Sequence, residues 1–116
     1  MEEEEDELSS ERHKTRAVFD VQNRFGLEFK GRQCFDCFFF ANNENDANNL
    51  AIELHNLGYE VDMHENEEPG KYRWSITGTT MEIDSSEENI ARWSEEMVKL
   101  AKAHRAEFDG WGGEAR

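Results

Sequence analysis

The sequence predicts an α+β domain in which two helices cover one face of a four-stranded antiparallel sheet, preceded by an additional N-terminal helix. Three observations lead to this prediction. The most apolar run, Gln33 to Ala41, has the length and aromatic content of a buried strand. Two segments with helical periodicity follow it. Three shorter segments alternate apolar and polar residues, as antiparallel strands do.

The apolar run has two different faces, because successive side chains of a strand point to opposite sides. One face is entirely apolar and is expected to form the core: Phe35, Cys37, Phe39. The other face combines a thiol, a carboxylate and two rings: Cys34, Asp36, Phe38, Phe40. We expect a sheet face of this mixed kind to be covered by a helix, by a partner chain or by a ligand.

The chain before this strand is predicted to contain an acidic tail and a helix. Residues 1–8 are mainly acidic and are expected to be disordered. A helix over residues 9–26 would begin at Ser9 or Ser10 and end at Gly26. Its apolar stripe is thin, so we expect it to dock on the second face of the sheet.

The strongest helical pattern follows the central strand. Asn42 or Asn43 is expected to cap this helix, and Gly58 to end it in a left-handed conformation. Its apolar residues recur at helical spacing: Ala47, Leu50, Ala51, Leu54, Leu57. Residues 59–64 and 71–79 then alternate, and we expect them to form a hairpin.

A further helix and a short strand complete the domain. Ser85 and Glu88 have the spacing of a capping box, and the helix is expected to end near Ala103. Residues 104–109 alternate and are predicted to form the closing strand. The order βαββαβ over residues 33–112 is that of the ferredoxin-like fold, which leaves one sheet face without helices.

That open face is predicted to be acidic with an aromatic centre. By alternation it carries Asp36, Phe38, Phe40, Glu60, Asp62, Arg73 and Glu107. Five of these residues are hypothesised to contact a partner: Asp36, Phe38, Phe40, Glu60, Asp62. Trp111 is a sixth candidate, because the glycines beside it allow its ring to lie across the sheet edge. Two interpretations of Trp111 stay open, a plug of the core and an exposed anchor for a partner.

The charge of the chain excludes several classes of partner. Its 116 residues carry a net charge of −14 without a cluster of lysine or arginine. Direct binding to DNA or to an anionic membrane is therefore not expected, and RNA stacking on Phe38 and Phe40 is disfavoured. A basic protein surface is the expected partner. The acidic start and the lack of a long apolar stretch indicate a cytoplasmic protein.

The sequence contains no recognisable catalytic, cofactor-binding or metal-binding motif. Cys34-Phe-Asp-Cys37 has the spacing of a redox or zinc pair. Residues three apart on a strand point to opposite faces, however, and no second pair is present to complete a zinc site. We therefore expect reduced, structural cysteines, no cofactor, no metal and no enzymatic activity.

Two short motifs are specific in combination, Glu107-Phe-Asp-Gly-Trp-Gly112 and Leu57-Gly-Tyr-Glu-Val61. Together they resemble the RraB family of regulators of ribonuclease activity, over about residues 33–112. The resemblance implies a ferredoxin-like fold in a bacterial, cytoplasmic, non-enzymatic protein. It also implies inhibition of ribonuclease E by binding to its non-catalytic scaffold region. The best-known members carry a long acidic tail after the tryptophan motif, so no role of such a tail is expected in a sequence that stops at Arg116.

The leading hypothesis is thus a protein-binding regulator of RNA processing. One alternative is an acidic adaptor domain unrelated to RNA decay. The other is a ligand-binding or RNA-binding module that uses the open sheet face.

Overall fold

The computed structural model describes residues 14–18, 31–66 and 73–113. Residues 14–18 are helical, lie within the predicted N-terminal helix and are called α1. The remainder of that helix and the acidic tail predicted for residues 1–8 lie outside the described residues, as do the first two residues of the strand predicted over residues 71–79. Thr15 in α1 is fully buried. Docking of this helix on the second face of the sheet stays a prediction, and Phe38 on that face is 38% exposed.

Six strands and two longer helices follow α1 in the described part of the chain. The strands are β1 (Arg32–Gln33), β2 (Phe35–Ala41), β3 (Glu60–Glu65), β4 (Trp74–Thr79), β5 (Ile83–Asp84) and β6 (Ala106–Gly113). The helices are α2 (Glu44–Asn56) and α3 (Glu87–Ala103). These elements confirm a mixed fold of helices and antiparallel strands. No helix within the described ranges has the length and hydropathy needed to cross a membrane.

Four of the strands form one antiparallel sheet in the order β3-β4-β2-β6. The central strand is β2, which pairs with β4 on one side and with β6 on the other. β1 and β5 form a separate two-stranded antiparallel sheet. The predictions of a single sheet and of one continuous strand from Gln33 to Ala41 are therefore wrong.

Thr80 explains why the strands divide into two sheets. Its hydroxyl accepts a hydrogen bond from the backbone N–H of Phe35 at 2.9 Å, and its own N–H donates to the Phe35 carbonyl at 2.9 Å. Beyond this contact, Cys34 on one segment lies opposite two residues, Met81 and Glu82, before pairing resumes at Gln33. The unequal count breaks the ladder, as in a β-bulge.

The core lies on one face of the larger sheet. Phe35, Cys37 and Phe39 are at most 1% exposed and point toward both long helices. The helices contribute the other large part of the core: Ala47, Leu50, Leu54, Ile90, Trp93, Met97, Ala101. The placement of α2 and α3 on the same face of the sheet confirms the prediction drawn from the helical stripes.

Helix α2 has the predicted signals at both ends. The side chain of Asn43 accepts a hydrogen bond from the backbone N–H of Asp46 at 2.9 Å, which satisfies one donor of the first turn. Gly58, with φ of 91°, follows the helix in the left-handed region that favours glycine. The helix therefore begins and ends where the sequence indicated.

Helix α3 is capped differently from the prediction. Ser86 is the N-cap, and its hydroxyl accepts a hydrogen bond from the N–H of Asn89 at 3.3 Å. The predicted box of Ser85 and Glu88 is therefore wrong by one position. Ser85 is buried and its hydroxyl donates to the carbonyl of Gly31 at 2.6 Å, so it ties the start of α3 to the residue before β1.

We predict that Leu54→Ala lowers the free energy of unfolding by about 2 to 5 kcal/mol, because it removes a fully buried side chain and leaves a cavity. Ile52→Ala is the matched control on the same helix, since Ile52 is 57% exposed. Its effect should stay below about 1 kcal/mol. Urea denaturation measures both values, and equal losses would contradict the assignment of Leu54 to the core.

Candidate functional site

The outer face is the side of the larger sheet opposite α2 and α3. Strand register places its residues in three rows that cross β3, β4, β2 and β6 in that order. The first row is Glu60, Thr79, Asp36 and Gly112. The second row is Asp62, Thr77, Phe38 and Gly110. The third row is His64, Ser75, Phe40 and Glu107. On this face β3 thus carries two carboxylates and His64, β4 three hydroxyls, β2 one carboxylate and two rings, and β6 two glycines and one carboxylate.

The outer face brings together five of the six predicted partner contacts: Asp36, Phe38, Phe40, Glu60, Asp62. Glu60 and Asp62 are exposed, whereas Asp36 and Phe40 are half-buried. His64 and Thr79 also lie on this face and were not among the predicted residues. The alternation of side chains along β3 and β4 could have identified both residues. His64 has the same parity as Glu60 and Asp62, and Thr79 has the same parity as Ser75 and Thr77.

Asp36 is oriented by the neighbouring strand. The hydroxyl of Thr79 donates a hydrogen bond to Asp36 Oδ1 at 2.7 Å. Glu60 occupies the other side of Thr79 in the same row. Because a hydrogen bond to a charged acceptor is stronger than one between neutral groups, this contact gives Asp36 a defined position on the outer face.

Phe38 and two glycines form an apolar patch in the middle of the outer face. A Cβ atom on Gly112 would lie 4.0 Å from Phe38 Cε2. The ring therefore lies beside a part of β6 that has no side chains, at Gly112 and Gly110. Phe38 remains 38% exposed. The result is an apolar surface that the hydroxyls of β4 separate from the acidic residues of β3.

The electrostatic character of the outer face is negative. Four paired positions carry carboxylates, Asp36, Glu60, Asp62 and Glu107, and none of the paired positions described on this face is lysine or arginine. Arg73 was predicted to lie here. It lies one residue before β4, in the same alternation as Ser75 and Thr77, and its Nη2 donates to Glu65 Oε1 at 2.8 Å. The local potential therefore favours a cationic partner.

Trp111 lies on the opposite side of the sheet from the other five candidates. Phe38 pairs with Gly110 and Phe39 pairs with Phe108, so Asp109 is an extra residue on β6. This β-bulge shifts the alternation of β6 by one residue. It brings Trp111 to the core side, opposite Cys37.

The ring of Trp111 packs among the aromatic residues of the core. It meets Phe35 edge-on with ring centroids 5.7 Å apart, and Trp93 with centroids 6.4 Å apart. Trp93 Nε1 donates a hydrogen bond to the Tyr59 hydroxyl at 3.0 Å. Burial raises the pKa of Tyr59 above its usual value. This packing fits the interpretation of Trp111 as a core residue.

The two cysteines are free thiols in different environments. Cys37 is buried and its Sγ donates a hydrogen bond to the Gly78 carbonyl at 3.3 Å. Burial raises the pKa of the Cys37 thiol to about 12, which keeps it protonated at neutral pH. Cys34 is half-buried between β1 and β2, outside a regular strand. Within the described ranges, no three His, Cys, Asp or Glu side chains are grouped to hold a metal ion.

A comparison with family models decides the family of this chain. The model of RraB, described as regulator of ribonuclease activity B, matches residues 12–113. The chain belongs to the RraB family. This confirms the resemblance carried by the motifs at residues 57–61 and 107–112. It assigns the chain to a family of regulators of ribonuclease activity.

The RraB match extends further toward the N-terminus than the predicted region of residues 33–112. It includes the five helical residues of α1. A search of curated proteins found no significant match.

We predict that the folded protein reacts rapidly with iodoacetamide at Cys34 and slowly at Cys37. At pH 8 the Cys37 thiol stays protonated, because burial raises its pKa to about 12. Raising the pH toward 12 should increase alkylation of Cys37, since more thiolate forms. Mass spectrometry of each peptide measures the two rates.

The single variants separate the two thiols. Cys34→Ala should abolish the rapid reaction, and Cys37→Ala should leave it unchanged. Equal labelling of both cysteines in the folded protein at pH 8 would contradict the buried environment of Cys37.

Trp111→Ala is predicted to destabilise the fold by about 2 to 4 kcal/mol, because a half-buried ring in contact with Phe35 and Trp93 is lost. Phe38→Ala is the control on the outer face and should cost less. Thermal or urea unfolding compares the two variants. A larger loss for Phe38→Ala would show that the outer face, and not Trp111, supports the core.

Proposed function

We propose that this RraB-family chain is a non-enzymatic regulator that binds the scaffold region of ribonuclease E through its outer face. Binding there would change the composition of the RNA degradation complex. Family membership supports the class of function. The single observation that supports the surface is the coincidence of carboxylates and aromatic rings on one sheet face.

Charge supports a basic protein partner for this face. The chain has a net charge of −14, and Asp36, Glu60 and Asp62 lie on one sheet face, with Asp36 next to Phe38 on β2 and the other two across β4 from it. Charges of this kind steer encounter with a cationic surface and raise the association rate. The ring then supplies apolar contact in the centre of the interface, where water is excluded.

The strand order β3-β4-β2-β6 supports a ferredoxin-like topology for the larger sheet, with α2 and α3 as its two crossover helices. In this proposal the protein acts in the bacterial cytoplasm and uses no cofactor or metal. Family membership supports that setting, since it is where the RraB resemblance places a ribonuclease regulator.

RNA binding is the second candidate, because Phe38 and Phe40 lie on a sheet face as the stacking rings of RNA-binding domains do. The surrounding carboxylates oppose it, since RNA binding requires cations near the phosphates. An adaptor role outside RNA decay differs from the leading proposal only in the identity of the protein partner.

The experiment compares three forms of the protein by surface plasmon resonance on an immobilised ribonuclease E scaffold fragment. Replacing Asp36, Glu60 and Asp62 by their amides should lower the association rate several-fold, with a smaller change in dissociation rate. The matched control replaces three exposed carboxylates of α3, Glu87, Glu88 and Glu96, by their amides. This control variant should change the association rate less than the outer-face variant does.

Two conditions complete this test. Higher salt should weaken binding of the unmodified protein, because exposed charges are screened beyond roughly 8 Å at physiological ionic strength. A single-stranded RNA replaces the scaffold fragment in the second condition. No binding to the fragment, together with RNA binding that tightens in the outer-face variant, would overturn the proposal in favour of an RNA reader.

A further inference from the structure

Strand β3 is an edge strand of the larger sheet, paired only with β4 in the part of the chain that the structure describes. Its backbone groups alternate between β4 and the edge. The N–H of Asn66 donates to the Arg73 carbonyl at 2.7 Å, and Asn66 is therefore on the β4 side. Counting back from Asn66 by alternation, the N–H and C=O groups of Val61, Met63 and Glu65 point outward.

The side chains along this edge differ in character between the two faces of the sheet. Glu60 and Asp62 are exposed on the outer face. Val61 and Met63 are half-buried on the inner face, where they pack against the core. Among the described residues, the edge thus presents backbone donors and acceptors without a partner strand, between an acidic side and an apolar side.

Helix α2 lies over the inner face of the sheet at the β3 edge, where Val61 and Met63 are. Glu53 Oε2 lies 3.6 Å from His104 Nε2, so Glu53 marks the side of α2 that faces the end of α3. Ala51 and His55 lie on the opposite side of the helix by its 3.6-residue repeat. Because α2 packs mainly over β3 and β4, these two residues are turned toward the β3 edge.

We infer that β3 accepts an extended segment of a partner protein that alternates basic and apolar residues and pairs antiparallel with it. Basic side chains of the segment would lie opposite Glu60 and Asp62 on the outer face. Apolar side chains would lie opposite Val61 and Met63, beneath α2. Main-chain hydrogen bonds to Val61 and Met63 hold the segment on β3. The alternation of basic and apolar side chains in the segment determines which segments bind.

Other occupants fit the β3 edge less well. A second copy pairing through β3 with its two-fold axis at Val61 or Asp62 would place carboxylates opposite carboxylates, which is unfavourable, whereas an axis at Met63 would place Asp62 opposite His64. The other edge strand, β6, is interrupted by the bulge at Asp109 and contains glycines on either side of Trp111. Bulges of this kind obstruct the addition of a further strand. The carboxylates of β3 therefore disfavour two of these registers of self-pairing, and they favour a cationic strand.

A short synthetic peptide of alternating lysine and valine is the probe. Fluorescence anisotropy measures its binding, and amide hydrogen exchange followed by NMR locates it. Exchange at the outward amides of Val61 and Met63 should slow by about tenfold or more, while the inward amides of Asp62 and His64 change little. A peptide with the same residues in two blocks, and one of alternating glutamate and valine, should both bind at least about tenfold more weakly.

Methylation of the peptide backbone tests strand pairing without altering the protein. In antiparallel pairing the valine N–H groups point at β3 and the lysine N–H groups point away. N-methylation of the valines should abolish binding, and N-methylation of the lysines should preserve it. On the protein, Met63→Pro removes an outward N–H and should abolish binding, whereas Met63→Ala should retain it.

The inference rests on the proposed function only for the identity of the partner. Absence of peptide binding, or binding without selective protection of Val61 and Met63, overturns strand addition even where the ribonuclease E scaffold fragment still binds. Selective protection by the peptide without any binding of that fragment supports strand addition and refutes the proposed partner. Equal tolerance of both methylated peptides also overturns the inference.

Discussion

The pairing of β2 with strands on both of its edges is the constraint on which the rest of the structure depends. It fixes one alternation across the sheet, with Phe35, Cys37 and Phe39 inside and Asp36, Phe38 and Phe40 outside. A slip of one residue would bury Asp36 among the helices and expose the core rings. The stability of the core and the composition of the outer face therefore follow from the same register.

That alternation is also what made much of the fold predictable from the sequence. The inner and outer residues of β2, β3 and β4 follow a period of two, which is a local property of the chain. The stripe of Leu50 and Leu54 is likewise local and predicts both α2 and the face it covers. For the same reason, five of the six candidate contacts could be placed on one face without coordinates.

The features that could not be predicted depend on partners distant in sequence. Thr80 bonds the backbone of Phe35 across 45 residues, and nothing in its own segment indicates that it divides two sheets. The bulge at Asp109 depends on how many residues of β2 lie opposite β6. Simple alternation from Phe108 would have put Trp111 outside, and the extra residue returns it to the core.

The inner face of the larger sheet forms the core, and the outer face carries the candidate partner contacts. Residues of the inner face determine the register of the sheet, so the backbone positions that carry the carboxylates of the outer face and of β3 do not depend on a partner. A preorganised surface loses less entropy on binding than one that must order itself. The outer face and the β3 edge also share Glu60 and Asp62, so one cationic segment lying on β3 would contact both. These two carboxylates therefore lie between the outward main chain of Val61 and Met63 on one side and, across β4, the Phe38 patch on the other.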